Sequence, residues 1–209
     1  MTKQVKHKED LRTVILEAAK QLFVQEGFEA TSIRKIAKVI GFSPTTIYLY
    51  YKDKSDIVYA LHQVGFGMLR DRLEPLMAVE DPFERLKACG RNYIRLAFEH
   101  PEYYQVMFML KEPITFLQDE KAVNKWPEGE QVLAFLKMTI EECQALGYFK
   151  GQNPFYTTIQ CWATVHGLVA LNITDHLSCI QEIFGMQESV EELIYESFKT
   201  LITLVSTAK

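Results

Sequence analysis

The polar residues between Thr31 and Lys54, in the stretch TSIRKIAKVIGFSPTTIYLYYKDK, are the ones whose types and spacing could do chemistry. Thr31, Ser32, Ser43, Thr45 and Thr46 offer hydroxyls, Tyr48 and Tyr50 offer phenols, and Arg34, Lys35 and Lys54 offer positive charge. Hydroxyls and cations in such density suit phosphate contacts, and threonine can also meet a base edge or a thymine methyl. No GxSxG, paired-carboxylate or Cys/His constellation appears anywhere in the chain, so no catalytic residues are expected and the chain reads as a non-enzyme. His62, His100 and His176 have no partner at ligand spacing, so neither a metal nor another cofactor is expected.

Two short helices and the start of a third must carry these groups. Thr31 is the expected N-cap of the first, whose inward residues are Ile33, Ile36, Ala37 and Ile40. Gly41 ends it at a position that calls for positive φ. Ser43 caps the second helix and Pro44 takes its first position, where the missing N–H costs nothing. Ile47 and Tyr50 return to the shared core, and Asp53 with Asp56 forms a carboxylate version of a capping box for the next helix. This is helix-turn-helix grammar, in which the second helix enters the DNA major groove. Before it, Leu11, Ile15, Ala18, Ala19, Leu22 and Phe23 share one face of a bracing helix that Gly27 ends. Residues 1–8 read as a mobile basic arm, either solvated or touching DNA.

Arg12, Ile15-Leu16, Ala18-Ala19, Leu22-Phe23, Gly27, Thr31-Ser32, Ile36-Ala37, Gly41, Ser43, Ile47-Tyr48, Tyr50-Tyr51 and Lys54 stand in one order that resembles the N-terminal domain of the TetR family of transcriptional regulators. The run from Trp162 to Gly167, WATVHG, is similar to the C-terminal domain of a subgroup named for a Trp-His-Gly motif, as are the segments at Pro101 and Val106. The resemblance implies a dimeric repressor that docks on a palindromic double-stranded operator and is released by a small-molecule effector. A helical ligand-binding or enzymatic dimer whose head no longer binds DNA is the alternative, and a third reading is an architectural DNA-binding dimer without a ligand.

Charge fits a protein that meets DNA with one end. Residues 1–56 hold ten Lys/Arg against seven Asp/Glu, whereas the whole chain carries a net charge of −4. The four cysteines form no CxxC pair and read as reduced core thiols. A polar opening segment and the lack of a long apolar run point to a cytoplasmic chain without membrane contact.

The expected fold is all-α, with a three-helix DNA-binding head over residues 1–54 and a helical bundle for ligand binding and dimerisation over 55–209. A long helix from Lys54 to about Met77 is the expected lever between head and body, and the last helix is expected from about Glu188 to Thr207. The helix holding Trp162 and His166 is apolar nearly all round and must be covered on all sides, so it and the last helix are the expected dimer surface through Gly167, Leu171, Phe198, Leu201 and Val205. Tyr93, Tyr103, Met107, Phe108, Trp126, Trp162 and His166 are the expected ligand-binding residues. Their hydroxyls, indoles and thioethers line apolar pockets as readily as they fill a core.

Overall fold

The structure is a computed structural model and describes residues 3–119 and 126–207. Those residues contain helices and no strand. In chain order the α-helices are α1 (Lys3–Glu26), α2 (Ile33–Ile40), α3 (Pro44–Tyr48), α4 (Lys54–Leu73), α5 (Pro82–Glu99), α6 (Pro101–Phe108), α7 (Glu112–Asp119), α8 (Pro127–Ala145), α9 (Pro154–Ile173), α10 (His176–Phe184) and α11 (Val190–Thr207). The all-α expectation holds.

Packing gathers these helices into two compact units. One comprises Met1–Gly67 and His100–Glu128, the other Met68–Glu99 and Gly129–Lys209. Compactness and the expected division after Lys54 address different things: which residues pack together, and which residues meet DNA.

In the first unit α1 packs on α2 and α6, and α2 on α3. Ile15, Ala19, Phe23, Ile36, Ala37 and Ile47 are almost wholly buried and form the centre of the head. Helix α1 begins at Lys3, inside the stretch expected as an arm. Lys, Gln and Glu between 3 and 9 are good helix formers and nothing there interrupts the turn; the side chains of Lys3, Lys6 and Lys8 lie outside those described. Tyr51, at 4 % exposure, rather than Tyr50 is the inward tyrosine.

Helix α4 ends earlier than its apolar pattern suggests. It gives way to a 3₁₀ turn over Glu74–Ala78, where Pro75 has no N–H to continue an α-helical ladder. Its buried face is Ile57, Val58, Leu61, His62, Phe66, Leu69 and Leu73, with Val64 turned outward.

In the second unit α9 packs on α5, α10 and α11. Asn153 caps α9 by accepting the N–H groups of Phe155 and Tyr156. At its other end Asp175 takes positive φ (57°) between α9 and α10. Phe83, Leu86, Ile140 and Cys143 form a core cluster on which Leu136, Tyr148, Ile202 and Val205 pack.

Helices α5 and α11 meet at Gly90. A Cβ there would clash with Cζ of Phe198. Gly90→Ala should therefore push the ring out of place and lower stability by about 1–3 kcal/mol, read as a drop in the urea midpoint with an unchanged slope.

Candidate functional site

The helix-turn-helix is built by local chemistry that the structure makes explicit. Ser32, not Thr31, caps α2, accepting the Lys35 N–H at 3.2 Å. Thr31 is 2 % exposed and its hydroxyl donates to the Gly27 carbonyl at 2.8 Å, which ties the turn after α1 and leaves that hydroxyl facing away from any external phosphate. Gly41 ends α2 at φ 72°, and the next N–H, from Phe42, reaches back to the Ala37 carbonyl at 3.0 Å. Ser43 Oγ accepts the Thr46 N–H at 3.2 Å and also meets the Thr46 hydroxyl at 2.9 Å. Pro44 follows at the first helical position.

These caps set which side chains face out. Ile47 is fully buried and pins α3 to the head, so Tyr48 one residue later stands 56 % exposed. Ser43 and Thr45 are exposed, and Pro44 and Thr46 are half-buried on the same short helix. Ser32, Arg34 and Lys35 are exposed on the first turn of α2 and the cap before it. Lys35 pairs with Glu26 at 2.5 Å, a surface contact worth at most about 1 kcal/mol that a phosphate can replace. Tyr50 is half-buried, and its carbonyl accepts from Arg12 Nη2 at 3.5 Å.

Lys54 sits differently from its expected place. Its ammonium donates to the Phe28 carbonyl at 2.6 Å and lies 3.9 Å from the centre of the Phe28 ring. It thus fastens the start of α4 to the turn after α1. Asp53 Oδ1 accepts the Asp56 N–H at 2.9 Å, and Asp56 Oδ2 reaches back to the Lys52 N–H at 3.0 Å. The capping box is present, displaced by one residue on its return bond.

The residues expected to bind a ligand separate into three places. Tyr93, Trp162 and His166 come together in the second unit, where the Trp162 indole N–H donates to the Tyr93 oxygen at 3.2 Å. The Tyr93 hydroxyl also lies 3.0 Å from His166 Nδ1, a hydrogen bond whose direction follows the imidazole tautomer. Burial lowers the His166 pKa and so favours the neutral ring.

Tyr103 instead turns to the head, donating to Glu17 Oε1 at 2.7 Å, with the Lys20 ammonium 4.1 Å from the centre of its ring. Burial pushes the Glu17 carboxyl up, but hydrogen bonds from Lys20 and Tyr103 outweigh it and hold it below its usual range.

Met107, Phe108 and Trp126 form the third group, in the first unit. Phe66 stands edge-on to Trp126 at 5.0 Å and to Phe108 at 5.4 Å. The His62 ring packs on Phe66, with 4.8 Å between centroids. Sequence reading missed His62 and Phe66 as members of this group. The available signal was their i, i+4 spacing on the buried side of α4, one residue on from Leu61.

The expected dimer residues divide as well. Phe198 is buried against Gly90, and Val205 is half-buried on the chain's own core cluster. Leu201 is half-buried. Leu171 is 41 % exposed, and a Cβ on Gly167 would meet nothing within 4 Å, so that side of α9 is left uncovered by the chain itself. Tyr156, Ile159 and Ala163 continue the same exposed face. Among the described residues no group of His, Cys, Asp and Glu could hold a metal ion, and no helix is long and apolar enough to cross a membrane.

Comparison with known proteins agrees with the geometry. Residues 15–61 match the family model described as bacterial regulatory proteins, tetR family, and residues 86–196 match the tetracyclin repressor-like C-terminal domain. The HTH-type transcriptional regulator HbdR of Aromatoleum sp. (strain CIB) is 25% identical over 206 residues, covering 96% of this chain and 86% of that protein. The fatty acid metabolism regulator protein of Bacillus subtilis (strain 168) is 37% identical over 60 residues, which is 29% of this chain and 31% of that protein, so the chain matches less than a third of its length. A TetR family transcription regulator from Marinobacter aquaeolei VT8 shares the fold at a TM-score of 0.70 and 23% identity, over 96% of this chain and 97% of that one. The fatty acid degradation regulator FadR from Bacillus halodurans does so at 0.69 and 18% identity, over 91% and 94%. Likeness at such identity establishes architecture, and the two domain matches establish kinship: the chain belongs to the TetR family of transcriptional regulators, with an N-terminal DNA-binding helix-turn-helix domain.

Proposed function

We propose that this regulator is a ligand-released repressor that binds a palindromic operator as a homodimer in the cytoplasm. The observation that carries the reading is the outward face of α3, where Thr45 and Tyr48 stand exposed on a helix held by the Ser43 cap and the buried Ile47. Thr45 and Tyr48 would contact bases and phosphate, while Ser32, Arg34 and Lys35 would contact phosphates beside them. The arrangement of Thr31 and Lys54 supports positioning roles for both. Their polar groups hold the turns on which α2 and α4 begin.

Two copies would meet through the uncovered α9 face at Tyr156, Ile159, Ala163, Gly167 and Leu171, with the exposed Leu204 of α11 beside the same partner. An isologous interface counts each substitution twice. Leu171→Glu, on an exposed position that leaves the fold intact, should therefore weaken the dimer by about 2 kcal/mol, or about 30-fold in dissociation constant. Sedimentation across a concentration series reads this directly; an unshifted dimer with Leu171→Glu would place the interface elsewhere.

The test of the whole reading is fluorescence anisotropy with DNA from upstream of the chain's own gene, repeated across salt. Specific binding with a steep salt slope is expected, since phosphate contacts release counterions. Binding no tighter than to random DNA would favour the helical dimer whose head has lost its operator. For the ligand response, the aromatic group at Phe66, Phe108 and Trp126 is better placed than the Tyr93–His166–Trp162 chain. Helix α6 supplies Phe108 to that group and Tyr103 to Glu17 and Lys20 of α1, so one short helix touches both the site and the head. A ligand acts only through its preference between two arrangements of the dimer, and α6 is the element it would bias.

A further inference from the structure

Four buried side-chain polar atoms among the described residues have no hydrogen-bond partner: both ring nitrogens of His62, Oε1 of Gln63 and Nε1 of Trp126. All four belong to one cluster. The His62 ring is wholly buried and lies 5.9 Å from Trp126 between centroids, with Phe66 against both. The Gln63 amide N–H₂ is taken by Glu128 Oε2 at 2.5 Å, which fixes its carbonyl oxygen as the unpaired end. Leaving such groups unpaired is costly, and native proteins leave few. The Tyr93–His166–Trp162 group shows the usual outcome in this same molecule, where a tryptophan and a histidine are joined through a tyrosine by hydrogen bonds.

We propose that His62, Gln63 and Trp126 form the hydrogen-bonding edge of the effector site, and that its ligand is an uncharged planar aromatic compound bearing an amide-like donor and acceptor side by side. This rests on the ligand-responsive reading above. A neutral imidazole donates from one nitrogen and accepts at the other, the indole N–H donates, and the Gln63 oxygen accepts. The edge therefore presents donors and acceptors together, as a carboxamide does in reverse. A carboxylate offers acceptors alone. It would have to sit against the Gln63 oxygen with the Glu128 carboxylate behind, and none of the three edge residues brings a positive charge to offset this.

The surrounding side chains are aromatic. Phe66 packs on Phe108 and Trp126, and Trp126, Gln63 and Phe108 are half-buried beside the fully buried His62. At Gly65 a Cβ would fall 2.5 Å from the Met107 sulfur, so that thioether lies directly on the α4 backbone and forms an adaptable side of the site.

The test is isothermal titration of the full chain with 2-naphthamide and with 2-naphthoate at neutral pH, in wild type, His62→Leu and Trp126→Phe. Binding of the amide is expected, with the carboxylate at least about tenfold weaker. Trp126→Phe, which keeps a ring and loses the N–H, should weaken the amide by about tenfold, and so should His62→Leu. In the absence of ligand His62→Leu should melt higher than wild type, because an apolar side chain of similar volume replaces two unpaired nitrogens. Equal binding of amide and carboxylate, no amide binding at millimolar concentration, or unchanged binding in both variants would overturn the proposal. A lower melting temperature in His62→Leu would also overturn it, as a histidine held by internal water behaves that way. Operator affinity measured with and without 2-naphthamide separates the two readings. An amide that binds and leaves operator affinity unchanged keeps the site and removes the effector role. Intact operator binding with no amide binding removes the site alone.

Discussion

Tyr48→Ala is expected to weaken operator binding by about 10³-fold while leaving the dimer folded. The side chain is 56 % exposed, so its removal opens no cavity and costs the fold little. Its neighbour Ile47 is fully buried and holds α3 in place without it. Truncating a central interface side chain costs about 2 kcal/mol or more. Each dimer places two heads on a palindrome, so the loss is counted twice, about 4 kcal/mol, or about 10³ in affinity. Anisotropy on the operator gives the affinity, and a urea melt of the same sample gives the stability. An equal loss on operator and on random DNA would make Tyr48 a phosphate contact alone. Unchanged operator affinity would remove α3 as the reading helix.

The contrast between Tyr48 and Thr31 shows what the sequence could and could not convey. Glycine at 41 and Ser-Pro at 43–44 each have one physical use in that order, and the structure gives both: positive φ at Gly41 and a serine cap before a first-turn proline. Thr31 and Ser32 are adjacent hydroxyls with equal capping chemistry. Which of them caps α2 depends on where the turn after Gly27 points, and that is set by packing. Lys54 is similar. A lysine at a helix start reads as a phosphate ligand, but the Phe28 carbonyl and ring lie within its reach only once the turn after α1 meets the start of α4.

Apolar periodicity has a matching limit. It marks the faces of α9 and α11 that must be covered, without saying by what. Phe198 is covered by its own chain, whereas Leu171 is not, although both stand at helical spacing in apolar helices. The aromatic residues of the middle helices also look alike in sequence. Hydrogen-bond accounting separates them, since Tyr93, Trp162 and His166 satisfy one another while His62 and Trp126 do not.

The unpaired His62 also sets how the protein responds to acid. Burial is the main cause that lowers its pKa from 6.5 to about 4; the neighbouring Gln63 amide offsets part of this without reaching hydrogen-bonding geometry with either nitrogen. The unfolded chain therefore binds a proton at this residue at higher pH than the folded one. Stability is then full above about 6.5, falls as pH drops through the interval toward 4, and levels off below it. A shift of that size corresponds to about 3 kcal/mol, a large share of the 5–15 kcal/mol by which domains are usually stable. Burial lowers His166 too, so it adds a smaller loss in the same direction. Glu17, held below its usual range, adds its loss only at more acid pH, below about 4.5. Urea midpoints of wild type should thus fall steeply between pH 6.5 and 4, and those of His62→Leu should keep only the shallow part due to His166. The variant should then be the more stable protein at acid pH by more than its advantage at neutrality. Parallel profiles for the two proteins would mean that His62 is already satisfied in solution, and the acid response would pass to other groups.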